Sequence, residues 1–212
     1  MTLKSQHKGR PRSDPDTQRV AIFNALSTIL MSSGYQNATT LSIAKACGIS
    51  KNTLYNHFPS KEALFIAFVE NRAATMNEHL GKALEDSKLD LEHILRRFGC
   101  ISLGVLSSDI SVAINRAAIS AAGTNDLDLS FTYFNHGHEP VRQKVVALLE
   151  RAGAAGVLVF DDIDETFQSL IGLLYGDFQM RRLLGVMSAP NDKQIADKVD
   201  DAIKNFMKLY AP

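Results

Sequence analysis

Lys51, Asn52, Tyr55 and Asn56 stand in the stretch GISKNTLYNHFPSKEAL (Gly48 to Leu64), which carries more hydrogen-bonding side chains than a short helix needs to stay soluble. Leu54 and Phe58 sit four apart, as the buried side of a helix requires. With Ile49 they face inward, which leaves Lys51, Asn52, Tyr55 and Asn56 pointing outward. Their chemistry fits base edges. A lysine donates to guanine O6 or N7, and the amide of Asn52 or Asn56 can pair with adenine. Tyr55 offers a ring edge to a thymine methyl and a hydroxyl to a phosphate. Lys61 falls in the first turn of the next helix, where the helix dipole disfavours a cation. A phosphate held by the free N–H groups and the ammonium together would reconcile that placement. The alternative is a polar outer face on an all-α bundle.

These residues need elements to hold them. Helical periodicity runs nearly throughout, and no convincing strand alternation is present. The spacing predicts a first helix from about Asp14 to Ser33, with Ile22, Phe23, Leu26, Ile29 and Leu30 on one face and Gly34 as its stop. Thr39 or Thr40 caps a short second helix holding Leu41, Ile43, Ala44 and Cys47. Gly48 breaks it, Ser50 caps a third helix ending near Phe58, and Ser60 caps a long fourth that reaches about residue 86. A short Gly-containing turn, an apolar residue and a Ser cap form a helix-turn-helix, whose second helix enters the major groove. Further helices are expected at 89–107, 109–122, 126–136, 139–155, 162–186 and 192–209, with breaks at 123–125, Gly137, 153–156 and 189–191. Gly156 to Phe160 (GVLVF) is the one place for a strand, read here as the end of one helix leading to the next cap. The fold class is all-α, with about nine helices. The expected domains are a basic arm over 1–13, a helix-turn-helix domain over 14–60 and a helical effector-binding and dimerisation domain over 61–212.

Charge divides along the same line. Residues 1–61 carry eight Lys/Arg against Asp14 and Asp16, and the remainder carries 15 basic against 21 acidic groups, so a formal net charge of zero conceals +6 and −6. Such segregation points to a polyanion at the N-terminal end, a solvated basic tail being the alternative. Within it, KGRPR (Lys8 to Arg12) places Arg10 and Arg12 around a proline, suited to a narrow A·T-rich minor groove. Cys47 and Cys100 lie far apart in apolar helical contexts and read as reduced packing residues. The longest apolar-and-glycine run, Ala152 to Phe160, is too short to cross a bilayer, and the polar start lacks the h-region of a signal peptide. A cytoplasmic protein is expected.

From Thr39 to Leu64 the chain resembles the TetR family of bacterial transcriptional regulators. The resemblance rests on Thr39, Ile43-Ala44, Cys47-Gly48-Ile49-Ser50, Thr53-Leu54-Tyr55, His57-Phe58, Ser60-Lys61-Glu62 and Leu64. Cys47 stands where Ala is usual, Ile49 where Val is, and Asn52 where a small residue is common. The resemblance implies that Lys51, Asn52 and Tyr55, with Asn56, read bases. It implies phosphate contacts at Thr53, His57 and Lys61, with Thr39, Thr40 and Ser50 beside them. KGRPR also resembles the core of an AT-hook. Residues 133–158, followed by GLLYGDFQMRRLLG, resemble the AefR-like C-terminal subtype. The family implies a homodimer on a palindromic double-stranded operator, and a helical domain that encloses a small-molecule effector.

Within the C-terminal part, Val141, Val145, Leu148 and Ala152, with Phe167, Leu170, Leu174, Phe178 and Arg181, have the spacing of a two-helix face. Ala154, Ala155, Gly172 and Gly176 would let helices approach, so a four-helix dimer interface is expected, intramolecular core being the alternative for each residue. Candidate effector contacts are Phe98, Cys100, Phe131, Phe134, Tyr175, Phe178 and Gln179, with Arg116 for an acidic ligand or a structural ion pair. His136, His138 and Glu139 lack the spacing of a metal site. Asp161, Asp162, Asp164 and Glu165 suit a helix start. No cofactor, metal or catalytic site is expected. The predicted function is an effector-released repressor, the alternative being a constitutive DNA-bound architectural or partner-recruiting protein.

Overall fold

The computed structural model describes residues 14–84, 90–122 and 127–212. Among these it contains eleven α-helices, one π-helical turn and no strand. The chain divides into two compact units, Met1–Pro59 and Ser60–Pro212.

In the first unit, α1 (Pro15–Asn37) starts at Asp14, whose carboxylate accepts from the Thr17 N–H at 3.3 Å. Its buried stripe is Ile22, Phe23, Leu26 and Leu30. Gly34 interrupts the helix with φ 74° and ψ 174°, a conformation that costs glycine little. Helix α2 (Thr40–Cys47) is capped by Thr39, which accepts from the Ser42 N–H at 3.1 Å. It closes on Gly48 in the left-handed region, whose N–H and that of Ile49 return to the last turn. Helix α3 (Lys51–His57) is capped by Ser50. Ile43, Ala44, Leu54 and Phe58 close the small core, with the Phe23 and Phe58 rings 5.8 Å apart.

The second unit contains α4 (Lys61–Leu84), α5 (Leu91–Ser107), α6 (Asp109–Ala122), α7 (Leu127–Tyr133), α8 (Glu139–Ala154), α9 (Ile163–Tyr175), α10 (Phe178–Leu184) and α11 (Asp192–Tyr210). One apolar cluster joins α4, α5, α8, α9 and α11 around fully buried Leu95, Phe98, Leu149, Leu170, Val199 and Phe206. Helix α5 comes close to α9 and α11 at Gly99, where a Cβ would lie 2.8 Å from Leu174 and Val199 side-chain atoms.

Two expected helix ends fall differently. Gly137 breaks nothing: α7 passes through a π-helical turn, Phe134–His138, straight into α8. Within 162–186, Gly176 adopts φ 48° and ψ −130° and separates α9 from α10. The GVLVF stretch is not a strand. Val157 and Leu158 bond back to the Ala152 carbonyl, and Val159 donates to the Tyr210 carbonyl at 2.7 Å. The expected break at 123–125 lies outside the described residues. Among the described residues no single helix is long and apolar enough to cross a membrane.

Candidate DNA-reading face and ligand cavity

The loop-helix that carries the polar quartet is short and locally determined. Ser50 Oγ accepts from the Thr53 N–H at 3.0 Å, and the two hydroxyls lie 2.9 Å apart. Leu54 and Phe58 anchor the helix at 1% and 4% exposure, which turns Lys51, Asn52, Tyr55 and Asn56 outward together. The Lys51 ammonium lies 5.6 Å from the centre of the Tyr55 ring. One lysine, two amides and a phenol thus share one exposed face.

The other expected contacts fall into different roles. Ser50, Thr53 and Thr39 are engaged in capping, and Thr40 is a half-buried first residue of α2. His57 is half-buried and donates from Nε2 to Gln18 Oε1 on α1 at 2.8 Å, which ties the end of α3 down. The Arg19 guanidinium lies over both Phe23 and Phe58, 5.3 and 5.2 Å from the ring centres. Lys61 opens α4 in the second unit, where burial lowers its pKa and the neighbouring Glu62 opposes that shift. Arg10 and Arg12 lie outside the described residues.

The second unit holds a cavity of about 400 Å³, within the size range of small-molecule sites. Helix α4 supplies Val69, Arg72, Ala73, Met76 and Leu80 to its wall, and α5 supplies Ser102, Val105 and Leu106. Tyr133, Phe134, His138, Phe167 and Tyr175 add aromatic rings. Burial pushes the Tyr133 hydroxyl up to about 12 against a hydrogen bond with Asn115 that lowers it. Burial also raises Tyr175, opposed by its hydrogen bond with Ser102. His138 stacks on Phe134 at 6.0 Å and meets Tyr133 edge-on at 5.3 Å. Desolvation lowers its pKa although it keeps accessible surface, as expected of a side chain facing a cavity.

Of the eight expected effector contacts, Phe134 and Tyr175 line this cavity. Phe98 is fully buried in the apolar cluster, and Cys100 and Phe178 pack against it. Phe131 is exposed, and Gln179 is half-buried on α10 away from the cavity wall. Arg116 donates to the Leu183 and Arg182 carbonyls at 2.9 and 3.2 Å, satisfying the C-terminal end of α10. Arg72, Tyr133, His138 and Arg142 line the cavity without having been expected there. The available signal was Arg72, a charge within the apolar stripe Val69, Ala73, Met76, Leu80.

The expected dimer face is partly taken up inside the chain. Val145, Leu148, Ala152, Leu170 and Leu174 are buried core, because α8 packs on α4 and α9 and α9 packs on α11 and α5, whereas Ala154, Ala155, Gly172 and Gly176 remain exposed. No group of three or more His, Cys, Asp or Glu suited to a metal occurs among the described residues.

Residues 93–212 match the family described as the C-terminal domain of AefR-like transcriptional repressors, and residues 22–68 match bacterial regulatory proteins of the tetR family. The nucleoid occlusion factor SlmA of Edwardsiella ictaluri is 38% identical over 88 residues, 41% of this chain and 44% of that protein. The chain thus spans less than half the length of this curated relative. Among solved structures, a TetR-family regulator from Mesorhizobium loti superposes with a TM-score of 0.80 at 20% identity, covering 93% of this chain and 98% of that one. The flavonoid-responsive regulator FrrA is 27% identical with a TM-score of 0.69, covering 93% and 98%.

Proposed function

The chain belongs to the tetR family of bacterial regulatory proteins and carries an AefR-like C-terminal domain, and on that premise we propose that it is a homodimeric repressor, cytoplasmic, released from its operator by a small molecule. Lys51, Asn52, Tyr55 and Asn56 read bases; Lys61, His57 and Thr53, with Ser50, Thr39 and Thr40, meet phosphates. Phosphate contacts set the register, and base contacts carry the sequence information. The cavity in the second unit is the observation that carries the release step, since a constitutive DNA-bound protein needs no such space. The likeness to a regulator described as flavonoid-responsive supports a small-molecule effector.

Release requires that the effector bind better to a conformation whose two recognition helices no longer match the half-sites. Helix α4 is the element for this, because it begins at Lys61 and its later turns supply the cavity wall. Selection of bound fragments from random DNA tests the reading. An inverted repeat should emerge, with half-sites about one helical turn or a multiple apart. Fragments with no common motif would reject specific repression. An operator retained in the presence of every cavity-binding compound would favour the constitutive alternative.

A further inference from the structure

The charged groups on the cavity wall do not cancel. Arg142 pairs with Asp164 and lies 3.8 Å from Glu139, and its guanidinium also lies 5.6 Å from the Phe167 ring centre. Glu139 also accepts from Gln143 at 3.2 Å. Arg72 differs. Among the described residues no carboxylate pairs with it, and its guanidinium lies 5.9 Å from the Phe68 ring centre. Desolvation alone lowers its pKa, with no neighbouring anion acting the other way. On α4 the wall combines apolar Val69, Ala73, Met76 and Leu80 with polar Asn71, Thr75 and His79, and no acid of this helix lines it.

Arg72 keeps exposed surface on the cavity wall, so its donors are open to a ligand, and the group that matches the guanidinium fork best is a carboxylate taken in a bidentate hydrogen bond. The rings of Tyr133, Phe134 and Tyr175 on the same cavity's wall suit an apolar body. Building on the reading of the cavity as the effector site, we propose that its ligand is an amphipathic organic acid, an apolar body bearing one carboxylate, with the carboxylate held by Arg72. An acyl chain and an aryl group both supply that chemistry, and the probes separate them.

Calorimetric titration of the full chain with octanoate and 4-phenylbenzoate, each against its neutral counterpart octan-1-ol or 4-phenylphenol, tests this. At least one acid should bind about tenfold or more tighter than its neutral counterpart. Arg72→Gln should reduce that preference to within about threefold and leave the neutral compound's affinity unchanged, whereas Arg72→Lys, which keeps the charge, should restore part of it. Circular dichroism confirms that each variant is folded. Neutral compounds binding as tightly as the acids, a preference that survives Arg72→Gln, or no binding of either acid at millimolar concentration would each overturn the proposal. The titration reads binding without DNA. An acid that binds through Arg72 but leaves a selected operator occupied would refute effector release and leave this assignment standing.

Discussion

Asn52 and Lys61 place opposite demands on DNA, and their variants separate the two kinds of contact. Asn52 is exposed on α3 beside Lys51 and Tyr55, and an amide there can form two hydrogen bonds to adenine. Its truncation should cost about 1–3 kcal/mol on the selected operator and much less on random DNA. Lys61→Ala should weaken both DNAs alike and reduce the salt slope by about one. Equal losses on both DNAs for Asn52→Ala would remove it from the base readers. His138 carries a prediction of another kind. Burial holds its imidazole below the ordinary value of 6.5, so between that value and its folded one the unfolded chain binds the proton more readily. Its contribution is therefore level above about pH 6.5 and turns destabilising as pH falls below it. The melting temperature of the wild type should drop more between pH 7.5 and 5.5 than that of His138→Gln, and parallel profiles would show that His138 is not the group responsible.

Elements were legible where their signals act within a few residues. The Asp14, Thr39 and Ser50 caps, the Gly48 closure and the Leu54–Phe58 pair each fix geometry locally, and the helix-turn-helix follows from them. Glycine in longer segments was ambiguous, because its role depends on what packs beside it. Gly137 is buried in a π-helical turn that continues the chain, whereas exposed Gly176 ends a helix with positive φ. The cavity was mostly hidden for a related reason. Periodicity identifies an apolar face but not its neighbour, so fully buried Phe98 and wall-lining Tyr175 carry the same signal. Gly99 shows what the packing demands. Alanine there would gain about 1 kcal/mol of helix propensity. Its Cβ, however, would meet Leu174 and Val199 at 2.8 Å, and both are fully buried. Overpacking typically costs about 1–3 kcal/mol, so Gly99→Ala should lower stability in urea denaturation, and an unchanged midpoint would mean that α5 can withdraw.

At the scale of the whole molecule, the formal charge of zero matters less than where its components lie. A neutral chain has no net attraction to DNA, so approach depends on the basic N-terminal quarter presenting its local field. Lys4, Lys8, Arg10 and Arg12 contribute four of the eight cations in residues 1–61, and no acid accompanies them before Asp14. Deleting residues 1–12 removes four positive charges and leaves α1, with its Asp14 cap, intact in sequence. If those charges act only through the general field, affinity should fall by a similar factor for every DNA, with the loss shrinking as salt rises. Insertion of Arg10 and Arg12 into the minor groove makes a different demand, because groove width and potential depend on sequence. The truncated chain should then lose more affinity on an operator flanked by A·T tracts than on the same operator flanked by G·C pairs. Binding isotherms for the two operators, measured at two salt concentrations, discriminate the cases. A loss independent of the flanks would leave the arm an electrostatic tether, and unchanged affinity on both would remove it from the interface.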